Sequence, residues 1–441
     1  MYKNNSFQKE KLRNFVDINL GQSPSSDSYC EKEEGVDFFQ GVSEFGDKYP
    51  TAKKYTNQPK KIATENSVLM SVRAPVGEIN IAKNDCCIGR GLAGLNSENN
   101  TYLAYLLKYH RKDWERIQKG VIFSAVNKAD IEDFEVFYTT NKVEQDKIVS
   151  IIDQQQGIID SYKEKLSLLE EQEAYYQDEL LSGRLRIRLT DESINYATQQ
   201  GWYLNDDLVE GKEKEFEEWI TVDFHSKIEF YKETDFIAIS LNGQETLNIP
   251  KEWSCLKLNN ILNGVVGMTP PKKDPNNYNG DMKWINISDF GEYFIDAKKT
   301  INPECKGVAN RIIEKGSLLY SFKLSVGLMG FSKYDNMMTN EAIISFKPSK
   351  NENLDYFYHI LKKYLHKNAG VNAFGAPIMN QEKIKQADLV LTEIITERIL
   401  IKEFFKLFKN QKDLIKEKIK VEEEKMDYLM DELLSGRIRV K

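Results

Sequence analysis

Residues 178–187 read DELLSGRLRI and residues 431–440 read DELLSGRIRV. A ten-residue phrase repeated 253 positions later marks a duplicated unit, and the match extends upstream in both copies. At the same offset Asn127 meets Asn380, Ile131 meets Ile384 and Glu144 meets Glu397. Further upstream the offset drifts, as loops of unequal length require. Residues 69–77, LMSVRAPVG, align with 319–327, LYSFKLSVG; 35–46, GVDFFQGVSEFG, with 280–291, GDMKWINISDFG; 21–24, GQSP, with 267–270, GMTP. Four blocks in one order make a module present twice.

Each module has two parts. Short β-branched and aromatic runs broken by Gly and Pro, such as SVLMSVRAPVGEINIA and GSLLYSFKLSVGLMGF, predict a strand-rich globule. A short helix is expected in each, near residues 101–117 and 353–367. A long helix follows. Ile148, Ile152, Gln155, Ile159, Tyr162, Leu166, Leu169, Glu173, Tyr176 and Leu180 keep 4-3 spacing. Ile401, Phe405, Phe408, Lys412, Ile415, Ile419, Glu422, Met426, Leu429 and Leu433 repeat it in the same phase, a heptad seam of more than four repeats. Gly183 and Gly436 stand where left-handed helix terminators belong.

A long helix with one apolar stripe needs a partner, and each copy supplies one for the other. The fold class expected is α+β: two mixed α/β globules, each followed by a long helix, the helices pairing as an antiparallel intramolecular coiled coil. The boundaries are 1–140 and 251–391 for the globules, 141–187 and 392–441 for the helices, and 188–250 for a connector. Antiparallel pairing would set the globules at opposite ends of a rod of roughly 50 Å. Glu173 and Lys412, polar residues on the seam, favour one register at some cost in stability.

The net charge of −7 is concentrated: residues 191–250 carry 4 Lys+Arg against 14 Asp+Glu, and residues 251–390 carry 19 against 14. Outside the acidic stretch the chain is slightly basic, which permits a DNA partner. The connector, partly structured through an amphipathic helix in TDESINYATQQGW, reads as a solvated acidic link, or else as a docking strip for a basic partner. No apolar run approaches the ~18 residues of a membrane span, and the first residues, MYKNNSFQKEKLRNF, are too polar for a secretory signal. Five cysteines without CxxC spacing fit reduced thiols in the cytoplasm.

No motif in the sequence forms a complete catalytic constellation. Residues 89–94, GRGLAG, fit GxGxxG, but LNSENN follows, where a pyrophosphate needs a helix N-terminus. Residues 274–278, DPNNY, approach the Asp-Pro-Pro-Tyr signature of amino-methyltransferases, but Asn276 replaces the second proline. His110, His225, His359 and His366 show no metal spacing, and acid-x-Lys pairs such as Asp281–Lys283 are expected by chance among 68 acids. No catalytic, cofactor or metal residue is therefore assigned.

The remaining features suit recognition. Gln40, Arg73 and Arg90 in the first globule, and Asn286, Lys323 and Asn340 in the second, carry donors that fit base edges in the major groove. Lys53, Lys54, Lys60, Lys61, Lys272 and Lys273 are candidate phosphate contacts.

The chain resembles the specificity subunit of type I restriction–modification enzymes. The resemblance is carried by Gly21–Pro24, Phe39–Gly41, Ser71–Gly77 with Cys87–Gly91, Trp284, Ser321–Gly327, Thr339–Asn340 and the two ELLSG helix ends, and it covers nearly the whole chain. The connector is longer than the simplest version of the pattern needs. The resemblance implies that each globule is a target-recognition domain for half of a split, asymmetric site in double-stranded DNA. It implies docking of two methyltransferase subunits using S-adenosylmethionine and of restriction subunits using ATP and Mg, with no catalysis in this chain. The alternatives are a single-chain DNA methyltransferase or nuclease with duplicated recognition domains, and a coiled-coil interaction scaffold.

Overall fold

The computed structural model describes residues 7–119, 125–241, 245–323, 325–347, 354–365, 370–371 and 377–440. Leu324, His366 and the ends of the helix expected over 353–367 lie outside them. The chain divides into two compact units, Met1–Lys165 with Leu414–Lys441, and Leu166–Asp413. Each unit therefore combines one globule with a segment from each long helix.

In the first unit a four-stranded antiparallel sheet runs in the order Asp17–Leu20, Leu92–Asn96, Val68–Ser71, Ile79–Ile81. A second sheet contains the parallel pair Val36–Phe39 and Cys86–Ile88, with Phe38 opposite Cys87. Val68, Met70, Ala93 and Leu95 face a core shared with Leu103, Leu107 and Trp114, all essentially sealed from water. The helix expected over 101–117 is two helices, Asn100–Tyr109 and Arg111–Lys119, broken at His110. There the ring bonds Asp113 at 3.0 Å and packs edge-on against Phe134, which turns the chain so that Trp114 stacks on Phe134.

The second unit repeats this plan. Ser321 pairs with Ile343 as Ser71 pairs with Leu92. Trp284 lies parallel to Met338 as Phe38 lies parallel to Cys87. Asn127 and Asn380, matched in the sequence, each cap a short helix, and Ile131 and Ile384 below them are fully buried.

The long helices span Lys142–Leu180 and Ile395–Leu434. In the first unit their segments run antiparallel: Glu144 meets Arg439, Gln155 meets Glu422, and Lys418 lies 5.8 Å from the Tyr162 ring. In the second unit Glu173 meets Lys412, and the Tyr176 ring lies 5.0 Å from that of Phe404. Ile148, Ile152, Ile159, Leu169, Leu180, Ile401, Phe405, Phe408, Ile415, Ile419, Met426 and Leu433 are buried; Tyr162, Leu166 and Leu429 are half-buried. Both helices end on glycines at φ +74°. A side chain at Gly183 would strike Pro250, which ends the connector just before the strand Trp253–Lys257, and one at Gly436 would strike Phe7 in the first strand of its globule.

The connector is not merely a solvated link. Leu185–Leu189 pairs with Ile228–Lys232, and Asp191–Gln199 forms the expected helix, capped by Thr190. Tyr196, Trp202, Phe216 and Trp219 form an aromatic cluster. Several acids have structural work: Glu217 pairs with Lys402, Glu233 with Arg186, and Asp207 accepts from Ile395 N and Thr396 N at 2.9 and 2.8 Å. The first long helix is capped locally by Asn141, through bonds to Val143 N and Glu144 N. Its counterpart 253 positions on is Ile394, which has no side-chain acceptor, and Asp207 supplies one.

Candidate nucleic-acid interface

In the first globule three backbone segments meet so closely that only glycine fits. A Cβ on Gly21 would lie 2.1 Å from Gly89 O, and one on Gly91 would lie 2.2 Å from Gln40 O. The turn 71–78 beside them is braced by Ser71. Its hydroxyl donates to Pro75 O at 2.6 Å and accepts from Glu78 N at 2.9 Å. On this frame Gln40, Arg73 and Arg90, with Ser23 and Ser71, line an open polar cup of about 310 Å³. Arg73 and Arg90 are exposed. Lys54 donates to Gln40 Oε1 at 2.9 Å, which leaves the amide NH₂ of Gln40 as the outward donor. Lys53 is tied to Ser43 O at 3.0 Å, while Lys60 and Lys61 are exposed nearby in sequence.

The second globule has the same frame with different tips. A Cβ on Gly267 would meet Thr339 O at 1.9 Å, and Ser321 braces its turn as Ser71 does, accepting from Leu328 N at 2.8 Å. Lys323 is exposed on that turn, 5.3 Å from the Phe322 ring. Asn286 and Asn340 are half-buried and bonded to each other at 3.4 Å. Asn286 also donates to Trp284 O, and Asn340 accepts from Ala342 N, so part of their hydrogen-bonding capacity serves the fold. Lys272 and Lys273 are exposed.

Glu341, not among the residues singled out in the sequence, is exposed on this frame. The parallel registers make Ile88 equivalent to Thr339, hence Gly89 to Asn340 and Arg90 to Glu341. The Thr269 hydroxyl donates to Glu341, and the Ser23 hydroxyl accepts from Arg90 N at 3.4 Å. The alignment of GQSP with GMTP matches the two supporting hydroxyls, Ser23 and Thr269, but nothing in the sequence marks Glu341 itself.

The two motifs set aside as non-catalytic have clear places. After residues 89–91 the chain enters the strand Leu92–Asn96, so no helix N-terminus faces the glycines. Asp274 caps a turn through Asn276 N, and the Tyr278 hydroxyl donates to Pro270 O, which holds that ring in the fold. Burial pushes the Cys86 thiol up to about 12, far from thiolate reactivity. Among the described residues no cluster of three or more His, Cys, Asp or Glu is placed to hold a metal ion. No described helix is long and apolar enough to cross a membrane.

The model of the type I restriction modification DNA specificity domain matches residues 4–171 and 250–424. Two similar proteins come from Methanocaldococcus jannaschii. One, named as the specificity subunit of type I restriction enzyme MjaX, is 36% identical over 178 residues, 40% of this chain and 42% of that protein. The other, the MjaIX specificity subunit, is 25% identical over 172 residues, 37% and 38% of the two chains. The matched stretch thus spans less than half of these relatives. A chain from a structure of complex assembly and conformational transition in the type I R-M system shares the fold, with a TM-score of 0.56 at 12% identity over 99% of this chain and 100% of that one.

Proposed function

The chain belongs to the type I restriction modification DNA specificity family, and from that premise we propose that it is a sequence-reading subunit acting on double-stranded DNA in the cytoplasm. Each globule reads one half of a split, asymmetric site. Two methyltransferase subunits using S-adenosylmethionine, and restriction subunits using ATP and Mg, dock on the chain and perform the chemistry. The observation that carries this reading is one braced frame occurring twice with different polar tips: Gln40, Arg73 and Arg90 on one, Asn286, Lys323 and Glu341 on the other. A shared frame with divergent donors and acceptors suits two readers of different half-sites, because phosphate contacts position and base edges select.

The test is selection from random duplex pools by the chain in complex with its methyltransferase subunit. Recovery of a bipartite motif with an unread spacer is expected. Recovery of no motif would favour an interaction scaffold. Stoichiometric S-adenosylmethionine binding by the chain alone would favour a single-chain enzyme.

A further inference from the structure

We infer that the position occupied by Arg90 in the first globule and Glu341 in the second reads a base edge, with Arg90 taking guanine and Glu341 taking the amino group of cytosine. This rests on the recognition reading above and assigns base classes to one position within it. Four observations converge. The parallel registers Phe39–Ile88 and Ile285–Thr339 place the two residues at the same point of the same frame. Both side chains are exposed. The backbone beneath each is fixed by approaches that admit no Cβ, at Gly21 and Gly91 in one globule and Gly267 in the other. The charge reverses between the copies, although Arg73 and Lys323 keep a cation on the neighbouring turn.

The reversal separates the two kinds of DNA contact. A phosphate contact needs a donor or a cation, and a carboxylate beside a phosphodiester is repelled. A position that tolerates Glu341 in one reader is therefore unsuited to the backbone. It suits the groove floor, where both acceptors and donors occur. Guanidinium donors match guanine O6 and N7, and a carboxylate accepts from cytosine N4. The Thr269 hydroxyl, bonded to Glu341, steadies the carboxylate while leaving acceptor capacity free.

The experiment uses the complex with the methyltransferase subunit and duplexes in which each base pair of the selected motif is varied singly. Arg90→Ala should abolish a guanine preference at one position of one half-site, a loss of roughly 5- to 150-fold in discrimination, with the other half-site unchanged. Glu341→Gln should move one position of the other half-site from cytosine towards adenine, and Glu341→Arg should move it towards guanine. An equal loss of affinity for every sequence with Arg90→Ala, together with a shallower salt dependence, would make Arg90 a phosphate contact and overturn the inference. An unchanged motif with both Glu341 variants would overturn it as well. If the unaltered complex selects no bipartite motif, the recognition reading itself fails, an outcome distinct from either.

Discussion

Arg439 donates through Nε and Nη2 to the two carboxylate oxygens of Glu144, at 2.6 and 2.8 Å, and Arg186 does the same to Glu397 at 3.0 and 2.9 Å. Both pairs join the SGRxR tail that follows one long helix to the first turn of the other. The duplication is thus expressed as an exchange, each copy closing the pair opened by its counterpart. The second pair is the more deeply buried, with side chains 3% and 4% exposed, and Arg186 also meets Glu233 and Glu252. These carboxylates and their hydrogen bonds hold the Arg186 guanidinium well above its usual range against the opposing effect of burial. Arg186→Met leaves Glu397 buried without a counterion and should cost about 3–5 kcal/mol. Arg439, a third exposed, should cost less when replaced in the same way. Urea unfolding of the full chain measures both; a loss below about 1 kcal/mol for Arg186→Met would show that the pair is not a structural lock.

The seam carries a polar pair whose counterpart in the repeat is apolar. Glu173 and Lys412 are bonded to each other, and 253 positions away the same places hold Met426 and Ile159. A half-buried ion pair repays little of its desolvation, so its effect lies in fixing one register. Glu173→Met with Lys412→Ile, which copies the other half, should leave stability unchanged or raise it by roughly 1–4 kcal/mol. Lys412→Ile alone should lower it, because Glu173 is left unpaired. Equal effects from the single and double variants in urea unfolding would refute the coupling.

The periodic parts of this fold are legible in the sequence because their determinants are local. Heptad spacing from Ile148 to Leu180 and from Ile401 to Leu433 marks the helices, and the doubled ELLSG marks their ends. The candidate cup is partly legible: Gln40, Arg73 and Arg90 stand out as donors near glycine and proline. Glu341 does not, since its relation to Arg90 appears only when Trp284 is seen lying along Met338 as Phe38 lies along Cys87. The connector was the least legible part. Its acids look solvated in one dimension, yet Asp207 and Glu233 find their partners through contacts 188 and 47 residues away in sequence.

Asp207 gives that long-range contact a measurable consequence. The second long helix begins without a local cap, and Asp207 bonds Ile395 N, Thr396 N and the Thr396 hydroxyl. Asp207→Ala removes every one of these bonds and a favourable charge at the helix N-terminus, which should cost about 1–2 kcal/mol. Asp207→Asn keeps an acceptor and should recover most of it. The comparison is made by thermal unfolding of the full chain, and equal losses for Ala and Asn would assign the effect to charge alone.

His359 should make the second unit acid-sensitive. Its ring lies 4.4 Å from that of Phe405, and its Nδ1 is enclosed without a hydrogen-bond partner among the described residues. Burial first, then the neighbouring Lys362 and Lys412, pull its pKa down to about 3. The unfolded chain, with histidine near its ordinary 6.5, takes up the proton first, so stability is full above about pH 6.5 and falls as pH drops towards 3. A fully enclosed ring would cost up to about 1.4 kcal/mol per pH unit in this window. His359 as a residue is only half-buried, which reduces the expected loss between pH 6.5 and 5 to roughly 1 kcal/mol. His359→Phe retains the aromatic contact and removes the titration. Its stability relative to the natural chain should therefore rise as pH falls from 7 to 5 in urea titrations at fixed salt, and a difference that stays constant across that range would show that His359 does not govern the acid limb.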